Sequence, residues 1–463
     1  MPVKLIQCAV YCLGLMPLCL QAEQVHEYVL DNGLKLMVKE EHRAPVVVSQ
    51  VWYKVGASYE HDGITGISHA LEHMMFKGTD THPPGEFSRI IAANGGRENA
   101  FTSADYTAYF QQLERSRLRI SFELEADRMR HLVLTVEAFA KEIRVVMEER
   151  RLRTEDKPTA LTHERAMSVA FQTSSYRHPT IGWMADLEAL TVEDLRAWYE
   201  AWYAPNNAIV VVVGDVDAKA VRELADKYFG PLPPGKPVLP VLRPEVAQDG
   251  MKRMTVKVPA TVPYLLMAYK APVLKMALDQ PERFADWEPY ALEVLAGILD
   301  GGNSARFSRR LVRDKQIAAS VGLHYNLYAR MESVVVIAGT PAEGHSVDDL
   351  ERVLRDEITD LQTNPVAASE LARVKAQVVA GNVYDRDSIF FQAMQIGILE
   401  SVGLGWPVMD EYVERISAVT AEQVQTVARK YLTDERLTVA ELDPQPLEGV
   451  ARAGSAERAG HAQ

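Results

Sequence analysis

Two histidines four residues apart, with a glutamate directly before the second, are the residues best placed to do chemistry: His69, Glu72 and His73 in "GISHALEHMMFKGT" (66–79). On a helix, residues i and i+4 share a face, so both imidazoles can reach one ion. Glu72, three residues after His69, lies near that face and can hold a proton acceptor beside the ion. Zinc suits such a set, since imidazole nitrogens and a carboxylate oxygen are its ordinary ligands. The competing reading is an amphipathic helix that happens to carry three polar residues, and the five-letter pattern alone leaves both open. A third ligand would raise the odds. "KEIRVVMEERRLRTED" (141–156) offers Glu142, Glu148 and Glu149, which also fit a solvated helix face. His61, His82 and His131 have no partner at ligand spacing and are read as ordinary.

Elements that could position these residues are legible around them. The hairpin signal Asn32-Gly33 interrupts the alternating run "EYVLDNGLKLMVKE", and "VVVSQVWYKVGA" continues as a strand into the histidine helix. "EFSRIIAANGG" reads as a helix with a glycine stop. "RENAFTSADYTAYFQQL" reads as two strands around a turn, helices fill most of 114–203, and "NAIVVVVGDVD" is a buried strand. Six prolines between Pro231 and Pro244 stiffen the chain and mark a linker.

The second half repeats the first. "LTVEDLRAWYEAWYAPNNAIVV" and "VTAEQVQTVARKYLTDERLTVA" match without a gap at an offset of 229 residues, pairing Thr191 with Thr420, Glu193 with Glu422 and Val210 with Val439. The expected organisation is a first domain over 23–230, a linker over 231–245, a second related domain over 246–445 and a small polar, disordered tail over 446–463.

At 463 residues, 47% hydrophobic and 24% charged, the composition is that of a globular protein of two or more domains. A net charge of -13, with no basic stripe, argues against nucleic acid or an anionic membrane as partner. Residues 1–22 read as an export signal: Lys4, the apolar run "LIQCAVYCLGLMPLCL", and "LQA" ending at Ala22 as the cleavage site. Pro17 and the short apolar run argue against a membrane anchor, and "MPLC" lacks the small residues that would precede a lipidated Cys19. All three cysteines (Cys8, Cys12, Cys19) lie in this segment, so the exported chain would contain neither a disulfide nor a thiolate ligand.

The motifs "LDNGLKLMV", "GISHALEHMMFKGT", "NGGRENAFTSADYTAYF" and "YAPNNAIVVVVGDVD" resemble the inverted zinc-motif (HxxEH) metallopeptidases, the family of pitrilysin, insulin-degrading enzyme and mitochondrial processing peptidase, in its half-size bacterial branch. That family places a glutamate ligand about 76 residues after the second histidine, which lands on Glu149, and a further glutamate seven before it, which lands on Glu142. The resemblance implies one zinc per chain on His69, His73 and Glu149, with Glu142 supporting them from behind. It implies an α+β fold of two homologous domains, each a mixed β-sheet covered by helices, forming half of a clam-shaped chamber. Zinc with three protein ligands lowers the pKa of a water toward about 7. Glu72 would take that water's proton and pass it to the leaving amine. The function implied is cleavage of peptides or small unfolded proteins, in the periplasm. The alternative is a non-catalytic structural or assembly subunit of the same fold.

By the same resemblance, Asn99, Ala100, Phe101 and Thr102 would bind substrate by adding it as an extra strand. In the second half, "EPYALEVLAGILDGG" puts Tyr290 and Val294 where histidines would be. The family's second-half Arg/Tyr pair is represented by Arg313 alone, because Ser320 occupies the tyrosine position. A related half-size subunit carrying that pair is therefore the expected partner. The alternative is a homodimer in which a residue such as Tyr325 replaces the phenol.

Overall fold

The computed structural model describes residues 25–238 and 243–446. The export signal, most of the polar tail and the linker residues 239–242 lie outside the described residues.

The first half forms a six-stranded sheet from β1 (Val25–Val29), β2 (Lys35–Glu40), β3 (Val46–Tyr53), β4 (Arg97–Thr102), β5 (Thr107–Glu114) and β6 (Ala208–Gly214), in the order β1-β2-β6-β3-β5-β4. The second half forms a five-stranded sheet from β7 (Lys252–Pro259), β8 (Tyr264–Ala271), β9 (Ala318–His324), β10 (Ser333–Pro341) and β11 (Leu437–Gln445), in the order β7-β11-β8-β10-β9. Without β1 the two orders are the same. Each sheet is mixed: β6 runs parallel to β2, β11 parallel to β7, and the remaining pairs are antiparallel.

The 229-residue offset reappears in the elements. Helices Val192–Trp202 and Ala421–Tyr431 begin and end 229 residues apart, and β6 and β11 start 229 apart. Each helix opens with a capping box, Thr191 with Asp194 and Thr420 with Gln423. In such a box the hydroxyl takes an N–H from the first turn and the longer side chain returns to the cap's own N–H.

Asn32-Gly33 does close the first hairpin, but the loop is longer than a two-residue turn, because the last strand pair is Val29–Lys35. Asn32 is otherwise engaged: its buried amide donates to the carbonyls of Phe229 (2.7 Å) and Leu232 (3.0 Å). Gly33, at φ +86, takes the left-handed backbone that the turn requires.

The two halves are interlocked by packing as well as joined by the chain. In β6, Val210 and Val212 pack into the core of the first half, while Ile209, Val211 and Val213 join a core built mostly from the second half. That double burial explains the unbroken apolar run. Helix Ile389–Ser401 of the second half lies on β3 and β6. There Gly397 abuts Trp52 so closely that an added Cβ would stand 2.0 Å from the indole. In return, helix Pro158–Ala170 of the first half lies on the second sheet, with Ala166, Ala170 and Phe171 packed against Leu266, Ala268 and Val334.

Polar contacts reinforce the junction. Arg330 donates to Ser58 Oγ (2.8 Å), stacks 4.0 Å above the Tyr59 ring and gives its backbone N–H to Asp105 (3.1 Å). Glu245, at the end of the proline-rich segment, is buried against Lys270 (2.5 Å) and also accepts the N–H groups of Gln172, Thr173 and Ser174.

Candidate metal centre

The histidine helix α1 (Ile67–Met74) buries Ile67, Ala70, Leu71 and Met74, an i, i+3, i+4, i+7 stripe. Its start is held by Glu60, which accepts the N–H groups of Gly66 (2.7 Å) and Ser68 (2.9 Å). Burial pushes the Glu60 carboxyl up to about 7, although those bonds favour its charge. Gly66 sits at φ +86, and a side chain there would strike the carbonyl of Ile181. Helix Val136–Arg150, capped by Thr135, packs against α1 and carries Glu142 and Glu149 two turns apart.

His69, His73 and Glu149 converge. One ligand-type atom from each lies within 4.8 Å of the others, and no other such group of three occurs among the described residues. Glu149 Oε2 is 3.2 Å from His73 Nε2 and 3.8 Å from His69 Nε2. Ligand atoms around a tetrahedral zinc lie about 3.4 Å apart, given zinc–nitrogen and zinc–oxygen distances near 2.1 Å. The spacing and the two-nitrogen, one-oxygen donor set therefore fit zinc. Burial, then the neighbouring His73 and Arg153, pushes the His69 imidazole down to about 3, so it is neutral and able to donate a lone pair.

The surroundings orient these groups. His73 Nδ1–H donates to Glu142 Oε1 (3.0 Å), which leaves Nε2 as the free nitrogen, and Lys77 holds the other Glu142 oxygen (2.5 Å). Glu72 stands beside the set and accepts from Thr102 Oγ1–H (2.5 Å). Burial raises its pKa, while the Thr102 bond and His73 oppose the rise. Thr102 lies on β4, which is the free edge of the first sheet, so Asn99–Thr102 border the same space as the histidines. That space is a cavity of about 1020 Å³ whose far wall comes from the second half, including His324, Asn326 and Tyr328.

Other expected residues are not brought there. Arg313 does not line the cavity, and its guanidinium donates to the carbonyl of Asn303 (2.5 Å). Tyr325 cannot replace a missing phenol, because it is buried and donates to the carbonyl of Pro272 (2.5 Å). In the second half, Tyr290 and Val294 are buried apolar counterparts of the histidines. Glu293 takes the place of Glu72 there, its carboxyl pushed up to about 7 by burial. His82 and His131 share Asp127 (2.8 and 3.1 Å), away from the cavity. Sequence reasoning missed Lys77, the Thr102–Glu72 bond and Arg153. Of these only Arg153 left a signal, four residues after Glu149 at helical spacing.

Residues 35–182 match the family model described as insulinase (peptidase family M16), and residues 189–378 match the one described as peptidase M16 inactive domain. The zinc protease PqqE of Helicobacter pylori is 33% identical over 368 residues, covering 78% of this chain and 80% of its own. The uncharacterized zinc protease YmxG of Bacillus subtilis is 25% identical over 411 residues, covering 89% of this chain and 96% of its own. Among solved structures, a protease from Helicobacter pylori superposes with a TM-score of 0.85 at 28% identity, covering 91% of this chain and 100% of that one. The periplasmic protease PqqL of Escherichia coli shares the fold, with a TM-score of 0.73 at 18% identity, covering 91% of this chain but 48% of that one.

Proposed function

The chain belongs to peptidase family M16, the insulinase family, and from that premise we propose that it is a zinc-dependent endopeptidase with His69, His73 and Glu149 as ligands and Glu72 as general base. The observation that carries this reading is the meeting of two imidazole nitrogens and one carboxylate oxygen within 4.8 Å, on the same cavity as Glu72 and the edge strand β4.

Bound at this set, zinc supplies Lewis-acid chemistry, making a water more acidic and polarising a carbonyl. The residues of the chain do the rest. β4 offers its unpaired edge to the backbone of an extended peptide, a mode that reads main chain and tolerates many side chains. Thr102 occupies Glu72 Oε2, which leaves Oε1 to take the proton of the attacking water and deliver it to the leaving amine. A carboxyl raised by burial is the better matched to that exchange. Glu142, itself held by Lys77, keeps the His73 ring turned toward the metal position.

The active unit in this reading is a closed chamber of two such chains in the periplasm, reached through the signal ending near Ala22. The partner is a related half-size subunit that carries the Arg/Tyr pair. Support comes from PqqL, a periplasmic protease of Escherichia coli of which this fold spans 48%, and from Arg313 standing away from this chain's own metal set.

Zinc analysis and peptide cleavage on the purified chain test the proposal. One equivalent of zinc is expected, lost in His69→Ala, His73→Ala and Glu149→Gln. A full equivalent and normal activity in Glu149→Gln would remove the ligand assignment. Zinc bound without cleavage, even after the partner is added, would favour a non-catalytic assembly subunit. Full activity of the chain alone would favour a homodimer.

A further inference from the structure

Glu149 has two carboxylate oxygens, and they face different partners. Oε2 looks toward both imidazoles. Oε1 is held by Arg153 Nη1 at 2.6 Å. We infer that Arg153 is a positioning residue that takes one Glu149 oxygen out of the coordination sphere, so that Glu149 meets the metal through Oε2 alone. The inference rests on the zinc reading above and adds a requirement to it.

The local backbone supports the assignment. Helix Val136–Arg150 does not continue regularly but opens into a π-helical turn, Arg151–Glu155, a rare form that is frequent at functional sites, though Phe307–Asp314 of the second half shows the same form away from the cavity. The base of the turn is anchored: Arg150 is buried, with both terminal nitrogens on Glu164 (2.8 Å each) and one also on the carbonyl of Gly182 (2.8 Å). Arg153 projects from that anchored turn into the cavity, with its side chain 69% exposed. Its exposure means it carries little of the core, so its replacement tests the ion pair with Glu149 and not the packing.

The other cavity-lining arginine, Arg177, is committed to Asp62 by one nitrogen on both oxygens (2.6 and 2.9 Å) and is no substitute. Each ligand is thus oriented differently. His73 is held by Glu142, Glu149 by Arg153, and His69, whose Nδ1 has no hydrogen-bond partner among the described residues, by burial.

A carboxylate freed from Arg153 can rotate away from the imidazoles and weaken binding. That change is at the metal centre and not merely in the fold.

The test uses the full chain and Arg153→Ala and Arg153→Lys. Zinc affinity is measured by competition with a chromophoric chelator, and coordination by the visible absorption of the cobalt-substituted protein. Arg153→Ala should bind zinc about 10- to 100-fold more weakly, the usual cost of losing a partner behind a ligand, and its cobalt spectrum should change intensity. Arg153→Lys should recover most of both, since an ammonium can hold a single oxygen. Unchanged thermal melting of the metal-free variants shows that the effect is at the metal. Wild-type affinity and an unchanged cobalt spectrum in Arg153→Ala would overturn the inference while leaving the zinc reading intact. Failure of the wild-type chain to bind zinc at all would overturn both.

Discussion

Replacing Gly397 by alanine drives a methyl group into Trp52. The added Cβ would lie 2.0 Å from Trp52 Cε2 and 2.4 Å from both Cζ2 and Nε1. Carbon atoms pack at about 3.5–4.0 Å, so one side must give by ~1.5 Å. Trp52 has nowhere to go: it is fully buried, with Phe101 and Tyr106 edge-on at 5.5 and 5.0 Å and its Nε1–H on Gln50 (2.9 Å). Overpacking of this kind costs about 1–3 kcal/mol, and a strained or lost hydrogen bond adds about 1 kcal/mol. The better helix propensity of alanine returns about 1 kcal/mol. A net loss of about 1–3 kcal/mol is expected, read as a lower urea midpoint. Because Phe101 belongs to β4, peptide cleavage should weaken as well, chiefly through KM. Trp52→Leu makes room for the methyl, so the double variant should be more stable than the two single losses add to, by about 1–3 kcal/mol of coupling. Stability of Gly397→Ala within about 0.5 kcal/mol of wild type, or no coupling with Trp52, would refute the interlocked junction.

Two further outcomes are expected. Glu72→Gln should keep its zinc while cleavage falls by a factor on the order of 10² or more; substantial turnover by the metal-loaded variant would take Glu72 out of the base role. At Glu245, burial opposes the charge, but Lys270 and three backbone N–H groups outweigh it and bring the carboxyl from its ordinary 4.5 to about 2. A carboxyl depressed in the folded state stabilises above its unfolded value and loses that contribution as pH falls through its folded value. Wild-type stability should therefore decline between about pH 4.5 and pH 2. In Lys270→Met that slope should shrink, and the neutral-pH loss should be about 3–5 kcal/mol, because Glu245 keeps a buried charge without its cation. Parallel denaturation profiles for the two proteins across that range would contradict this.

Local order was legible because short-range rules write it. The spacing of His69, Glu72 and His73 places them on or near one helix face whatever the fold, and the apolar alternation and capping residues mark the helix–strand unit that recurs 229 residues on. The family resemblance pointed to Glu149 across a gap that no local rule spans; from its own helix Glu149 was indistinguishable from a solvated glutamate such as Glu148. What only the tertiary structure decided are meetings between distant segments: Lys77 behind Glu142, Thr102 on Glu72, Arg330 crossing to Asp105, and the exchange of covering helices between the halves. It also decided against Tyr325, whose hydroxyl is spent on Pro272. Backbone hydrogen bonding has a fixed period and shows in any stretch of chain. The choice of partner for an exposed-looking arginine or a buried tyrosine depends on which surfaces pack together, and it exists only once both surfaces are in place.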